Sequence, residues 1–408
     1  MSRRNLALTV AALAALVVGI CVALLLASGS SKRRRAPKTA IVTSTITGIV
    51  TSTATGRSTA TADPPARPPP AGETFGVNIN LLFSSGTYSN AQIDTQLREV
   101  QATGATVARS DAFWEATEPT APVNGVHDYN WAFDDGVALA LAQHGLQWLP
   151  ILDYTAPWAE SVPGQDHSPP RSAADYAAYA GAFAARYGPG GTFWHAHPRL
   201  TAPPVQTYEI WNEPDNGEFW APTPDARRYG VLYQQAREAI TSADPRARVI
   251  VGGLMNPTHF LVELLSADPA LRGHIDGVAI HPYGTPLVVL ARVRSARATL
   301  GTLGLGAVPL YVTEFGWTTR PAGAVNYAPA SARPRYLVDT LGALGHVNCG
   351  VAAALLYTWV TPERNTLNAQ DWYGISNPHG GGGADVAAFE AGLRAARAAR
   401  PVIPLCRG

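Results

Sequence analysis

The sequence predicts a (β/α)8 barrel, and three observations carry that reading. From Glu73 onward, short β-rich runs alternate with amphipathic stretches eight times. Several of the runs, such as Arg248-Val249-Ile250-Val251, are almost continuously apolar, as expected of strands buried on both faces. The eight units together occupy residues 73–408, an average of about 42 residues each, which suits a barrel with loop insertions. The competing architecture is a doubly wound open sheet, which would show a Gly-rich phosphate turn after its first strand. Here the first strand runs into Asn78-Ile79-Asn80-Leu81-Leu82, with no such turn. The Gly380–Gly383 run comes late, before the last helix, and reads as a flexible loop.

In chain order, the first strand, Phe75–Asn80, precedes a helical stretch at 90–103. Thr106–Asp111 and Trp148–Tyr154 precede helices at 131–144 and 173–187. Thr207–Asn212 and Val249–Gly253 precede helices at 224–242 and 259–266. Gly277–His281 and Leu310–Glu314 precede helices at 286–304 and 331–344, and Ala354–Trp359 precedes a last helix at 384–399.

The region before Glu73 has a different composition. Of the 408 residues, 1–72 hold nine Lys/Arg and one Asp, whereas 73–408 hold 22 Lys/Arg and 29 Asp/Glu. The overall charge of +1 is therefore a sum of +8 and −7, and it argues against a nucleic-acid partner. Leu6–Leu26 is a 21-residue run without charge, preceded by Arg3 and Arg4. At about 1.5 Å per residue such a run spans a hydrocarbon core of about 30 Å. It reads as a signal anchor within residues 1–38. Ala27-Ser28-Gly29 would serve as a cleavage site if the run were instead a signal peptide. The third reading is a buried core helix. Lys32, Arg33, Arg34, Arg35 and Lys38 would by themselves keep the following flank in the cytoplasm. Residues 39–72 argue the other way. Nine Thr, three Ser and five Pro make a Thr/Ser/Pro-rich, disordered linker of the kind that carries a domain away from a cell surface. The expectation is a body at 73–408 that is extracytoplasmic, tethered to the membrane, or secreted if the segment is cleaved.

In a barrel, chemistry collects at the C-terminal ends of the strands. The second strand ends with Arg109 and Asp111, with Trp114 close behind, and the third with Asp153-Tyr154. The fourth ends Trp211-Asn212-Glu213-Pro214, and the sixth His281-Pro282-Tyr283. The seventh ends Thr313-Glu314-Phe315-Gly316-Trp317, and the eighth Tyr357-Thr358-Trp359. Glu213 and Glu314 lie 101 residues apart, about three β/α units, and would face each other across the mouth. Two carboxyls in unequal environments are what glycoside hydrolysis needs, one to donate a proton and one to attack. Indole rings suit the apolar C–H faces of sugars.

These motifs resemble those of clan A glycoside hydrolases, in particular family 39 and the cellulase-like family 5, over roughly residues 74–400. Trp211-Asn212-Glu213-Pro214 is similar to the Asn-Glu-Pro signature of the clan. Tyr311-Val312-Thr313-Glu314-Phe315-Gly316-Trp317 is similar to its nucleophile strand. The resemblance implies that Glu213 is the acid/base, Glu314 the nucleophile, and Asn212 a ligand of the substrate 2-hydroxyl. It implies that Arg109 and Tyr283 hydrogen-bond the nucleophile and keep it ionised. It places His281 in the catalytic subsite and Trp359 under the sugar being cleaved. Trp114, Asp153 and Trp317 are further substrate-binding candidates. The implied reaction is retaining hydrolysis of a polysaccharide or oligosaccharide, by a monomer, without a metal or organic cofactor.

Structural readings stand beside these. Glu213 and Glu314 could be rim ion-pair partners, Arg109 a core salt bridge and His281 a core histidine. Asp153 could cap a loop, and Trp114 and Trp317 could be packing. A transglycosylase would use the same two carboxylates, and a non-catalytic carbohydrate-binding envelope protein would need neither. His195 and His197 form a His-x-His pair without a third ligand at metal-binding spacing. No P-loop, His-Glu-x-x-His or Gly-x-Ser-x-Gly motif occurs. Cys349 and Cys406, the only cysteines of the body, could pair in an extracytoplasmic protein or remain separate thiols.

Overall fold

The computed structural model describes residues 74–406. The expected anchor (1–38) and linker (39–72) lie outside the described residues. Among the described residues, no helix is long and apolar enough to cross a membrane.

Eight strands close into a barrel: β1 (Thr74–Asn78), β2 (Val107–Phe113), β3 (Gln147–Asp153), β4 (Thr207–Ile210), β5 (Arg248–Leu254), β6 (Gly277–Ile280), β7 (Leu310–Phe315) and β8 (Val351–Leu356). Each pairs with its sequence neighbours in parallel, and β1 meets β8 through Val77 and Leu356 to complete the ring. The crossover helices are α1 (Asn90–Ala102), α2 (Ala132–Gln143), α3 (Ala173–Tyr187), α4 (Ala226–Ala243), α5 (Pro257–Ala267), α6 (Pro286–Thr302), α7 (Arg333–Leu344) and α8 (Ala384–Arg397).

Local sequence explains several boundaries. Ser89 caps α1 in a reciprocal capping box with Gln92, and Ser172 caps α3 by accepting from the Asp175 amide. Asp225 caps α4 by accepting from Arg228, so this helix starts two residues later than its apolar pattern suggests. The larger displacement is at β8. The strand lies at Val351–Leu356 rather than 354–359, because Ala352-Ala353-Ala354 belongs to the sheet and Tyr357-Thr358-Trp359 to the loop after it.

Two apolar layers hold the barrel. Inside, Val107, Leu149, Ile250, Ala279, Tyr311, Ala353 and Leu355 fill its lower part. Outside, the helices pack an aromatic stripe on the sheet. On α3, Tyr176, Tyr179, Phe183 and Tyr187 recur at helical spacing and are all fully buried. Their hydroxyls are not idle. Tyr176 donates to the Leu152 carbonyl and Tyr179 to that of Ala112. On α4, Tyr229 donates to Ile210 and Tyr233 to Val249. These bonds satisfy main-chain carbonyls of β2 to β5, three of them in the last two residues of a strand, and fix where those strands stop.

Cys349, just before β8, is bonded to Cys406 near the end of the chain, with their Cα atoms 5.2 Å apart. The bridge spans 57 residues that include β8 and α8. We expect reduction, or Cys349→Ser, to lower stability by about 2–4 kcal/mol. Thermal melts with and without reductant check this, and equal midpoints would show that the bridge does not constrain the chain.

Candidate active site

The mouth of the barrel is organised around Arg109 on β2. Its side chain is fully buried. Nε and Nη2 grip both oxygens of Glu209 on β4, at 2.7 and 3.0 Å. Nη1 donates to Asn78 Oδ1 at the end of β1 (2.8 Å) and to Glu314 Oε1 on β7 (2.6 Å). Nη2 also donates to Asn212 Oδ1 just past β4 (3.1 Å). Burial pulls the Arg109 pKa down, but the charges and hydrogen bonds of Glu209 and Glu314 outweigh it and raise it above the ordinary value. The guanidinium therefore stays charged.

Glu314 is held from both sides. Arg109 takes Oε1, and the Tyr283 hydroxyl donates to Oε2 at 2.7 Å. Burial pushes its carboxyl up, yet His281 and Arg109, with the hydrogen bonds from Tyr283 and Arg109, hold it below the usual carboxylate range. Glu213 faces different groups. Its Oε1 lies 2.7 Å from His281 Nδ1, and its Oε2 accepts from the Asn216 amide at 2.8 Å. His281 places its other ring nitrogen 3.2 Å from the Thr313 hydroxyl. Burial lowers the His281 pKa, but Glu314 and Glu213 overcome that and raise it. Glu213 and Glu314 keep 6% and 7% of their surface exposed, so both remain in contact with the open mouth.

The backbone around Glu213 is unusual. Trp211 and Glu213 adopt left-handed φ values of 65° and 45°, a conformation that side-chain-bearing residues rarely take and one that clusters at functional sites. Two glycines make room for it. A Cβ on Gly252 would lie 2.0 Å from the Trp211 carbonyl oxygen, and one on Gly253 2.0 Å from His281 Nε2.

The structure thus brings together Arg109, Asn212, Glu213, His281, Tyr283 and Glu314. Three other expectations need correction. Trp359 is fully buried, donates its indole N–H to Gln96 of α1 and packs on Phe389 of α8, so it lies behind the wall rather than under a substrate. Trp114 is fully buried, stacked on Tyr179 and bonded to Glu118. Trp317 is buried between Phe315 and Tyr336 and donates to the Gly284 carbonyl. Asp153 has no exposed surface and does not cap its loop: neither carboxyl oxygen has a hydrogen-bond partner among the described residues.

Sequence reasoning missed Glu209, Asn78 and Tyr357. Glu209 carried a signal: it is a charge between the buried Tyr208 and Ile210, which demands a buried partner. Tyr357 stands at the mouth, its ring 6.3 Å from Tyr283 and 5.4 Å from Tyr373, in the place expected of Trp359. His197 is spent on the Phe193 carbonyl before β4. Among the described residues, Glu213, His281 and Glu314 offer ligand atoms within 4.8 Å of one another, close enough to converge on a cation. A cation there would have to displace the existing bonds of Arg109, Tyr283 and His281 to the carboxylates.

No protein-family model matches the chain, and no curated protein matches it. Solved structures do. A monomeric β-xylosidase from Caulobacter crescentus superposes with a TM-score of 0.59 at 22% identity, over 79% of this chain and 69% of that one. A family 39 glycoside hydrolase from Bacteroides cellulosilyticus gives 0.57 at 18%, over 78% and 63%. A GH5_18 enzyme from Bifidobacterium longum gives 0.57 at 12%, over 82% of each. The barrel has the fold of family 39 and family 5 glycoside hydrolases. The likeness covers about four fifths of this chain and leaves about a third of the family 39 chains unmatched.

Tyr283→Phe removes one of the two direct donors to Glu314. A depressed carboxyl pKa means the ionised form is stabilised, so losing a donor raises that pKa. We expect Glu314 to titrate at higher pH in the variant, read by 13C-glutamate NMR. An unchanged titration would remove Tyr283 from the control of this carboxyl.

Proposed function

We propose that the chain is a retaining glycoside hydrolase. The observation that carries the proposal is the pair Glu213 and Glu314, with carboxylate oxygens within 4.8 Å and unequal surroundings. Retaining enzymes place their two carboxyls about 5–5.5 Å apart, whereas inverting ones need about 6.5–9.5 Å to admit a water. Glu314, kept ionised by Arg109 and Tyr283, attacks the anomeric carbon while Glu213 gives its proton to the departing glycosidic oxygen. The C–O bond to the leaving group breaks as the bond to Glu314 forms. Glu213, now a carboxylate, takes a proton from water, whose oxygen attacks on the face that the leaving group vacated and displaces Glu314 from the opposite side. His281 and Asn216 orient Glu213 through its two oxygens, and Asn212, held by Arg109, presents its amide at the mouth. The substrate is a polysaccharide or oligosaccharide. The 21-residue apolar run and the Thr/Ser/Pro-rich stretch before residue 73 support a barrel outside the cytoplasm, tethered or released.

We expect Glu213→Gln and Glu314→Gln to lower kcat on the best glycan of a polysaccharide panel by about 10²-fold or more. Equal activity in both variants and the unmodified protein would sink the assignment. With Glu314→Gly, azide restores turnover and yields a glycosyl azide of inverted configuration. With Glu213→Gly, azide would instead give the retained product, so product NMR separates the two roles.

A further inference from the structure

The two sides of the mouth are furnished differently. Towards β6 and β8, Tyr283, Tyr357 and Tyr373 present rings with centroids 5.4–6.3 Å apart. Towards β1–β3 stand amide and carboxyl acceptors that are only partly answered, at the surface and behind it. Asp153 is fully buried, with both oxygens unpartnered. Asn80, two residues past β1, donates its amide to Asp111 Oδ1 at 3.0 Å and leaves its own Oδ1 buried and unpartnered. Asp111 itself is partly exposed.

Charge is also unbalanced here. Arg109, Glu209 and Glu314 act on Asp111, and Arg109, Glu209, Asp166 and Asp111 act on Asp153; of these only Arg109 is a cation. Each guanidinium nitrogen of Arg109 already donates to Glu209, Glu314, Asn78 or Asn212. Burial, reinforced by neighbouring carboxylates and opposed by Arg109, pushes Asp111 up to about 7 and Asp153 well above its ordinary value. Buried acceptors without donors are costly, and so are like charges without a counter-ion.

We infer that this side of the mouth is a subsite for an amino sugar, its ammonium seated against Asp111 and Asn80 with Asp153 behind them. An ammonium carries three donors, no acceptor and a positive charge, which matches what the residues lack. A hydroxyl supplies one donor and adds an acceptor, and an acetylated amine supplies one donor without charge. The tyrosines opposite suit the apolar face of the same ring. This assignment names the substrate class of the proposed glycosidase and rests on that reading.

The test uses the full-length Glu213→Gln protein, in which turnover is silenced. Calorimetry compares β-1,4-linked tetramers of glucosamine, N-acetylglucosamine and glucose near neutral pH, where Asp111 is free to ionise against the ammonium. We expect the glucosamine tetramer to bind about tenfold tighter or better than the other two, the scale of a charge-assisted hydrogen bond. Added salt should shrink that margin, and Asp111→Asn on the same background should erase it. The comparison of the three ligands stands without that variant. Equal affinities, or no binding of the glucosamine tetramer, would overturn the subsite. Hydrolysis of neutral glycans by the unmodified protein with no amine preference would overturn the subsite alone. Binding of the amine by a protein that hydrolyses no glycan would support the subsite and overturn the glycosidase reading.

Discussion

The buried guanidinium of Arg109 is the constraint on which the mouth of the barrel depends. It donates to Asn78, Glu209, Asn212 and Glu314, which belong to the ends of β1, β4 and β7 or lie just past them. Burying such a charge is expensive, and two carboxylates compensate it. Removing either would leave a buried charge poorly matched, a loss of about 3–5 kcal/mol in comparable cases. The planar fork matters as much as the charge, because it sets five donor directions at once. Glu209 occupies two of them, which leaves Nη1 free to reach Glu314.

That hub works only if the strand ends are in register, and the outer layer ensures it. Tyrosines on α3 and α4 bond to carbonyls of β2, β3, β4 and β5. The same residues that supply the apolar core thus also tie down the strands that carry Arg109, Glu209 and Glu213. Glycines 252 and 253 then let β5 approach the strained turn at Trp211–Glu213. Precision at the carboxylates is inherited from packing several residues away.

The eightfold alternation was legible because each strand is short, apolar and followed by an amphipathic helix. The polar site residues were legible for a related reason: a charge or amide at the end of a buried strand has few places to go except the mouth. Arg109, Asn212, Glu213, His281, Tyr283 and Glu314 all follow that logic. Indoles do not. Trp114, Trp317 and Trp359 are as well satisfied in a core with one N–H partner as on a sugar, and composition says nothing of direction. The error at β8 added to this, since a strand displaced by three residues moves Trp359 out of the mouth and brings Tyr357 into it. Glu209 was hidden by its flanks, Tyr208 and Ile210, which made the strand read as core.

Replacing Arg109 by Lys keeps the charge and removes the fork, so kcat of Arg109→Lys on the best glycan substrate tests the account most directly. If one guanidinium sets the position and ionisation of Glu314, turnover falls by about 10²-fold or more, because an ammonium cannot serve Glu209, Asn78, Asn212 and Glu314 together. Turnover within a few-fold of the unmodified protein would contradict it, and would leave Arg109 as a core cation with no part in positioning Glu314.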